Sequence, residues 1–504
     1  MPATSANLAL LLWHGAESYP ERPAVFTRDV VTTYGALRNR AAAVTGALRA
    51  APTAPGDRVG LLLERSADAI AALFGIHAAG LVGVVIDDRL RPRQIEYRLR
   101  HVGARIFVTT AAMLARLPRR LATDTATLDL GQIPAEGQAE PLLRAPSDLA
   151  QIIYTSGSTG LPKGVVFTHG ALQTGACTVN RYLGQREDDR IASLLALSTV
   201  YGLNQILTGV SCGAAIVIET SPLTAEVITT LRARRATVLA AVPPLWLQLL
   251  SMANFDAASL PALRILQNAG GHLPVAAVGR IRTAFPNAQL FLQYGQTETF
   301  RGTFLPATAV DRRPESMGRA VPGAELVVLL DDGTRAPDGE IGELVHAGPT
   351  IAVGYWNDPD ATSRTFRPHP DAVRAAQGER AVCSGDLVRR DAEGFFTFVA
   401  RRDRLIKTMG FRVGPDEVAD VVHASGEARE VVVTSEPDPE RGERIVAYVV
   451  LRDGGDARRL LMFCRAELPT YMVPARIEVV ASLPRLPGGK YDLAALKAPG
   501  ALEK

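Results

Sequence analysis

The segment Tyr154–Val165, YTSGSTGLPKGV, sets three glycines, four Ser/Thr hydroxyls and one lysine between two apolar runs, Leu149 to Tyr154 and Val165 to Phe167. Gly157 and Gly160 permit backbone conformations that other residues resist and let the chain approach a ligand closely. Thr155, Ser156, Ser158 and Thr159 add hydroxyl donors, and several backbone N–H groups can face one concavity. Lys163 adds a positive charge. Together these make a cradle for a polyphosphate. It is not a Walker A loop: Gly164, not Ser or Thr, follows Lys163, and the GxxxxGK spacing is absent.

Outward from this loop, helical and strand-like runs alternate. Helices are expected over Ala67 to Ala79, Arg93 to Val102, Thr224 to Arg235, Pro243 to Met252 and Val275 to Phe285. Strands are expected over Leu81 to Ile86, Arg105 to Thr109, Thr237 to Val242, Leu263 to Gln267 and Gln289 to Gln293. The strands are continuous and β-branched or Leu-rich, as in parallel sheets covered on both faces. The pattern is α/β. From about Ala324, short strands separated by Gly/Asp/Pro turns predict a small antiparallel or barrel-like lobe over 324–400. After Arg401, a run of about a hundred residues with its own α+β pattern predicts a separate C-terminal domain, 401–504.

The bulk numbers fit that organisation. A chain of 504 residues exceeds one ordinary core. With 47% hydrophobic and 21% charged residues, the composition is that of a globular protein, and a net charge of +3 does not argue for nucleic acid. Four cysteines without CxxC spacing argue against a disulfide framework or zinc site, and the eight histidines form no HExxH or HxH. No basic residue precedes Leu8 to Trp13 and no cleavage site follows, so no signal peptide is expected. Ala69 to Ile86 is long enough to imitate a membrane span. Its His77, the Gly80 break and the following Asp87-Asp88 read instead as a buried helix turning into a buried strand. A cytoplasmic protein with no nucleic-acid or membrane partner is expected.

The loop, with Thr168-His169 after it, resembles the phosphate loop of the adenylate-forming (ANL) superfamily, which includes acyl- and aryl-CoA synthetases, adenylation domains of non-ribosomal peptide synthetases, and firefly luciferase. Further segments are similar to that family's motifs, in its order: YGQTE (Tyr294 to Glu298), GEL (Gly342 to Leu344) through GYWN (Gly354 to Asn357), SGD (Ser384 to Asp386), ARRDRLIKTMGFRVGP (Ala400 to Pro415) and PGGKYD (Pro487 to Asp492). Ala400 and Tyr491 depart from the usual Gly and small β-branched residue. The resemblance spans nearly the whole chain. It implies a large N-terminal domain of two αβ-layered subdomains plus the β lobe (1–400), and a small mobile C-terminal domain (401–504).

The resemblance also implies a two-step reaction. A carboxylate attacks the α-phosphate of MgATP, and a thiol of CoA or a carrier protein then displaces AMP. Thr155, Ser156, Gly157, Ser158, Thr159, Gly160 and Lys163 would hold phosphates. Tyr294 and Gly295 would meet adenine, with Asn268, Ala269, Gly270 and Gly271 beside the base and the acyl pocket. Thr297 would touch the α-phosphate, and Glu298 would hold Mg²⁺. Asp386 would accept both ribose hydroxyls, and Arg401 would contact ribose or phosphate. Asp403 falls at the hinge. Lys490 would face the site during adenylation, and Lys407 during thiol transfer.

The acid pocket is expected around Thr199, Val200, Tyr201, Asn204, Asn268, Ala269 and Gln296. The run LSTVYGLNQ resembles the SFDYGLNQ of stand-alone prolyl-type and acyl ligases, with Thr199-Val200 in place of Phe-Asp. A valine cannot balance an ammonium, and a buried unpaired charge is costly. An aryl, aryl-acrylic or short aliphatic acid is therefore expected over an α-amino acid. Two alternatives stay open: a stand-alone amino-acid adenylation enzyme, and a nitrite-activating diazotase of aromatic amines on the same fold. No carrier domain follows the PGGKYD motif, so a separate acceptor is expected.

Overall fold

The computed structural model of the chain describes residues 6–117, 125–155, 161–252, 255–271, 273, 275–401, 406–484 and 496. It divides into two compact units. The larger holds the chain up to Asp88, Ile95–Tyr154 and Gly164–Ala400; the smaller holds Arg89–Gln94, Thr155–Lys163 and the chain from Arg401 on.

The larger unit carries three sheets. In the first, nine strands run in the order Arg319–Ala320, Thr303–Leu305, Gln289–Tyr294, Ile265–Asn268, Val238–Ala241, Arg190–Ser193, Ala215–Ile218, Pro23–Phe26 and Val31–Thr33. The six strands from Gln289–Tyr294 to Pro23–Phe26 are parallel, and antiparallel strands close both edges. The second sheet has seven strands: Gly354–Tyr355, Lys163–Thr168, Leu149–Thr155, Val82–Val85, Arg58–Leu61, Ile106–Thr109 and Ala126–Asp129. Every residue of Val82–Val85, Ile106–Thr109, Ala215–Ile218 and Val238–Ala241 is buried. Helices covering both faces leave no solvated side to alternate toward, which is why these strands read as unbroken apolar runs.

The run that imitates a membrane span is the helix Ala67–Ala78 followed by the strand Val82–Val85. Ser66 caps the helix, its Oγ accepting from Ala69 N at 3.1 Å. Gly80, at φ +76°, turns the chain between the two. Among the described residues no helix is long and apolar enough to cross a membrane.

The third sheet is antiparallel: Glu325–Leu329, Ile341–Ala347, Arg380–Arg390 and Phe366–Pro368 in order, with Phe396–Arg401 also on Arg380–Arg390. Glu343 pairs Leu387 and Val345 pairs Cys383, so one residue on one strand faces three on the other. Those three are Ser384, Gly385 and Asp386, with Gly385 at φ +68°. The SGD motif is therefore a bulge, a device that re-aims a side chain. The Glu343 carboxylate of the GEL motif fastens it by accepting from Gly385 N at 2.9 Å.

In the smaller unit, Ala428–Asp438 and Gly442–Leu451 form a long antiparallel pair, extended by Ile406–Thr408, Phe411–Val413 and Arg476–Val479 and packed with helices Pro415–Ala424 and Ala457–Glu467. Met409 (φ +52°) and Gly410 (φ +80°) make the two-residue hairpin loop between Thr408 and Phe411. Cys177, Cys212 and Cys464 are free thiols.

Candidate active site

The C-terminal ends of the parallel strands in the nine-stranded sheet converge on one region, the position where open α/β sheets bind ligands. Gln289–Tyr294 delivers Tyr294, half-buried, with its ring against the core of the antiparallel lobe. The Tyr294 hydroxyl donates to Asp386 Oδ2 at 2.5 Å, and Gln296 Nε2 donates to the same oxygen at 2.7 Å. Gln296 also donates to the Ser384 carbonyl at 2.7 Å, so its amide orients the bulge and its carboxylate. Asp386 is fully buried. A carboxylate aimed by two donors on one oxygen suits recognition of a hydroxylated ring.

Thr297–Thr299 form one 3₁₀ turn. Thr297 is half-buried. Glu298 is buried, and its Oε1 accepts from the Tyr355 hydroxyl at 2.7 Å. The GYWN motif thus holds the acid of YGQTE. The chain then turns sharply at Phe300, φ +60° and ψ −60°, with Arg301 N donating to Thr299 O at 2.7 Å. This is a strained three-residue turn for a bulky side chain, of order 1–3 kcal/mol. Packing offsets the strain: the Phe300 ring is 1% exposed and meets Phe167 edge to face. Gly175 makes room for it, since a Cβ there would lie 2.6 Å from the ring. Gly295 serves the same turn, because its Cβ would sit 3.0 Å from Arg301 Cα.

The turn delivers a residue to which the sequence alone assigns no role. Arg301 is 3% exposed. Its guanidinium lies over the Tyr201 ring, 4.9 Å from the centroid. Nε and Nη2 have no hydrogen-bond partner among the described residues. Burial pushes the Tyr182 phenol up to about 12, and the charge and hydrogen-bonding reach of Arg301 beside it oppose that rise. A cation–π contact contributes up to about 2 kcal/mol when desolvated. Burying an ion costs several kcal/mol. The Tyr201 contact alone does not offset the burial of Arg301.

Thr199, Val200, Tyr201 and Asn204 sit at the start of helix Val200–Ser211. Thr199 caps it, accepting from Gly202 N at 3.0 Å and donating to Ala196 O at 2.9 Å. Val200 is buried in the main core. Tyr201 and Asn204 share a helix face, and neither the Tyr201 hydroxyl nor the Asn204 amide has a partner among the described residues. Asn268 and Ala269 are buried where Ile265–Asn268 ends, and Gly270 (φ +81°) turns the chain away. Asn268 donates to Gly271 O at 3.4 Å.

Thr155 ends Leu149–Thr155 and Lys163 begins Lys163–Thr168, neighbours in one sheet. Ser156, Gly157, Ser158, Thr159 and Gly160 between them lie outside the described residues, as do Asp403 and Lys490. Arg401 closes the strand Phe396–Arg401. Lys407 lies on Ile406–Thr408, its backbone N donating to Glu443 Oε2 at 2.6 Å.

The family model for the AMP-binding enzyme matches residues 12–356, and the model for its C-terminal domain matches 417–490. The chain belongs to the AMP-binding enzyme family. It is an ATP-dependent, AMP-forming adenylating ligase of the ANL superfamily. It is 31% identical to novobiocin biosynthesis protein H of Streptomyces niveus, over 99% of this chain and 84% of that protein. It is 30% identical to phosphinothricin tripeptide synthetase PhsC of Streptomyces viridochromogenes over 99% of this chain, but spans 46% of that protein's length. Its fold matches the amide bond synthetase McbA of Marinactinospora thermotolerans with a TM-score of 0.87 at 24% identity, covering 97% and 99% of the two chains. The anthranilate CoA ligase AuaEII, solved with anthranoyl-AMP, gives a TM-score of 0.73 at 25% identity, covering 99% and 97%.

Within an AMP-binding enzyme the arrangement is coherent. The buried, doubly oriented Asp386 fits a ribose. Among the described residues no cluster of three His, Cys, Asp or Glu could hold a metal. A single carboxylate, Glu298, fits Mg²⁺, which keeps water and substrate phosphate oxygens in its shell.

Proposed function

We propose that this enzyme adenylates a carboxylic acid without an α-amino group, of the aryl, aryl-acrylic or short acyl class, and passes the acyl group to a phosphopantetheine thiol. The acceptor is CoA or a separate carrier protein, and the setting is secondary metabolism. The observation that carries the reading is the buried cation over Tyr201, with Val200 at the helix start. An ammonium entering there would meet like charge and no carboxylate from Val200.

In this reading Asp386 holds the ribose, Tyr294 flanks the adenine and Thr297 contacts the α-phosphate. Glu298 would hold Mg²⁺, which supplies charge neutralisation on the phosphates when bound. Thr155 to Gly160 and Lys163 cradle the phosphates. Lys490 stabilises charge on the reacting carboxylate and α-phosphate, a role whose loss costs about 10²–10³ in rate. Asp403 is the hinge about which the C-terminal domain presents Lys490 or Lys407 in turn.

A second reading, an amino-acid adenylation enzyme, is favoured by the similarity to a peptide synthetase and by one contact. The Asp87 carboxylate accepts from Ser198 Oγ at 3.2 Å, just ahead of Thr199. Mass spectrometry separates the two. Incubation with MgATP, an acid panel and either CoA or a phosphopantetheinylated carrier protein is expected to yield acyl thioesters from non-amino acids. Aminoacyl thioesters as the main product would replace the first reading with the second.

A further inference from the structure

Arg301 is the centre of a buried polar group that the nucleotide chemistry does not use. A guanidinium stays protonated at any working pH. This one is 3% exposed, and none of the ion pairs among the described residues includes it. The two nitrogens without partners, Nε and Nη2, lie along one edge of the guanidinium. That edge is the fork that receives a carboxylate through two parallel hydrogen bonds. Further unsatisfied polar atoms belong to its neighbours: the hydroxyl of Tyr201, whose ring lies under the cation, the hydroxyl of Tyr182 beside the charge, and both amide atoms of Asn204, one turn along the Tyr201 helix. The turn at Phe300 that presents Arg301 is strained, and Gly295 and Gly175 are shaped to accommodate it. Buried polar groups are normally paired by protein, water or ligand, and open atoms grouped at one buried cation mark a place that a ligand can satisfy.

We propose that Arg301 recognises a second anionic group on the substrate, a carboxylate distal to the one that is adenylated, so that the natural acid is a dianion. Tyr201 positions the guanidinium through its ring, and Asn204 offers a further donor and acceptor. This deepens the acid-activating reading and rests on it.

The test compares matched acids with the full-length enzyme: terephthalate and 4-carboxycinnamate against 4-methylbenzoate and 4-methylcinnamate. Pyrophosphate release is measured for wild type, Arg301→Met and Arg301→Lys, and melting temperature with and without each acid. Wild type is expected to favour the dianions by roughly 10- to 100-fold in kcat/KM, the range of a charge-assisted pair. Arg301→Met should erase that preference through KM, slowing the dianions far more than the monoanions. Arg301→Lys should keep part of it. Without ligand, Arg301→Met should melt no lower than wild type, because it removes a buried charge that the protein leaves unpaired. Equal use of both series, or an Arg301→Met protein that melts lower and slows both series alike, would make Arg301 structural and overturn the proposal. If neither series releases pyrophosphate, the acid-activating reading falls and the melting data decide separately. Stabilisation of wild type but not Arg301→Met by terephthalate would keep the anion site, and no stabilisation would remove it.

Discussion

The Tyr294 hydroxyl donates a 2.5 Å hydrogen bond to Asp386, ninety-two residues further along the chain. This contact joins the last parallel strand of the nine-stranded sheet to the bulge of the antiparallel lobe. It makes the orientation of the Asp386 carboxylate depend on a side chain from the YGQTE motif. Asp386→Asn is expected to raise KM for ATP by roughly 10- to 100-fold, since it removes an ionised acceptor. Tyr294→Phe and Gln296→Leu, which leave the carboxylate but loosen it, should each cost about 2- to 10-fold. Steady-state kinetics with ATP varied checks the ranking. An unchanged KM in Asp386→Asn would detach this residue from the nucleotide.

Gly295→Ala tests the strained turn. The added Cβ would press on Arg301 Cα and the Phe300 carbonyl, at 3.0 and 3.2 Å. Overpacking of this kind costs about 1–3 kcal/mol. The expected result is a folded protein by circular dichroism with a kcat/KM reduced about tenfold or more, because the turn carries both Glu298 and Arg301. Wild-type kinetics would show that the turn tolerates displacement.

Asp189 tests the scaffold alone. Its side chain is 1% exposed and ion-paired with Arg264. It also accepts from Thr237 Oγ1 at 2.7 Å and Arg186 N at 2.8 Å. These bonds tie together the entries to three neighbouring parallel strands. Asp189→Ala should destabilise the larger unit by about 3–5 kcal/mol, as broken buried pairs do. Urea unfolding would read the loss directly, and a shift below about 1 kcal/mol would assign the contact to the weak surface class.

Three buried histidines set an acid limit. Burial holds His346 and His169 down to about 4 from 6.5, and His77 well below 6.5. Each is neutral in the folded state, whereas the unfolded chain binds protons below pH 6.5. Stability is therefore full above pH 6.5 and falls as the pH drops toward 4, by about 1.4 kcal/mol per pH unit for each histidine. His346→Gln should flatten the dependence by one proton over that window, measured by urea unfolding from pH 7 to 4.5. A slope unchanged by the substitution would mean that His346 titrates alike in both states.

Most of the α/β framework was legible because its signals are local. Continuous apolar strands and helical runs placed Ala67–Ala78, Val82–Val85 and Gln289–Tyr294 within a residue or two. The functional segments were legible through family resemblance, but their physical roles were not. Nothing in the letters SGD reveals a bulge, because a bulge is defined by the facing strand, which comes some forty residues earlier at Glu343. Nor could spacing show that the Gln296 amide turns toward Asp386, or that Thr199 spends its hydroxyl on a helix cap. Arg301 was missed for a different reason. Its sequence signal, one charged residue between Phe300 and the run Gly302 to Leu305, is weak without the burial that gives it meaning.

The choice of acid is the point on which the proposed function stands or falls. Pyrophosphate release from MgATP should be compared for pairs that differ only in the α-amino group: 3-phenylpropanoate against L-phenylalanine, and glutarate against L-glutamate. A buried cation over Tyr201 predicts that the amino member of each pair is poorer by about 100-fold or more in kcat/KM, as expected when a charge is buried without a partner. Equal or better turnover of the amino acids would place an ammonium beside the Arg301 cation and rule out the preference for acids without an α-amino group.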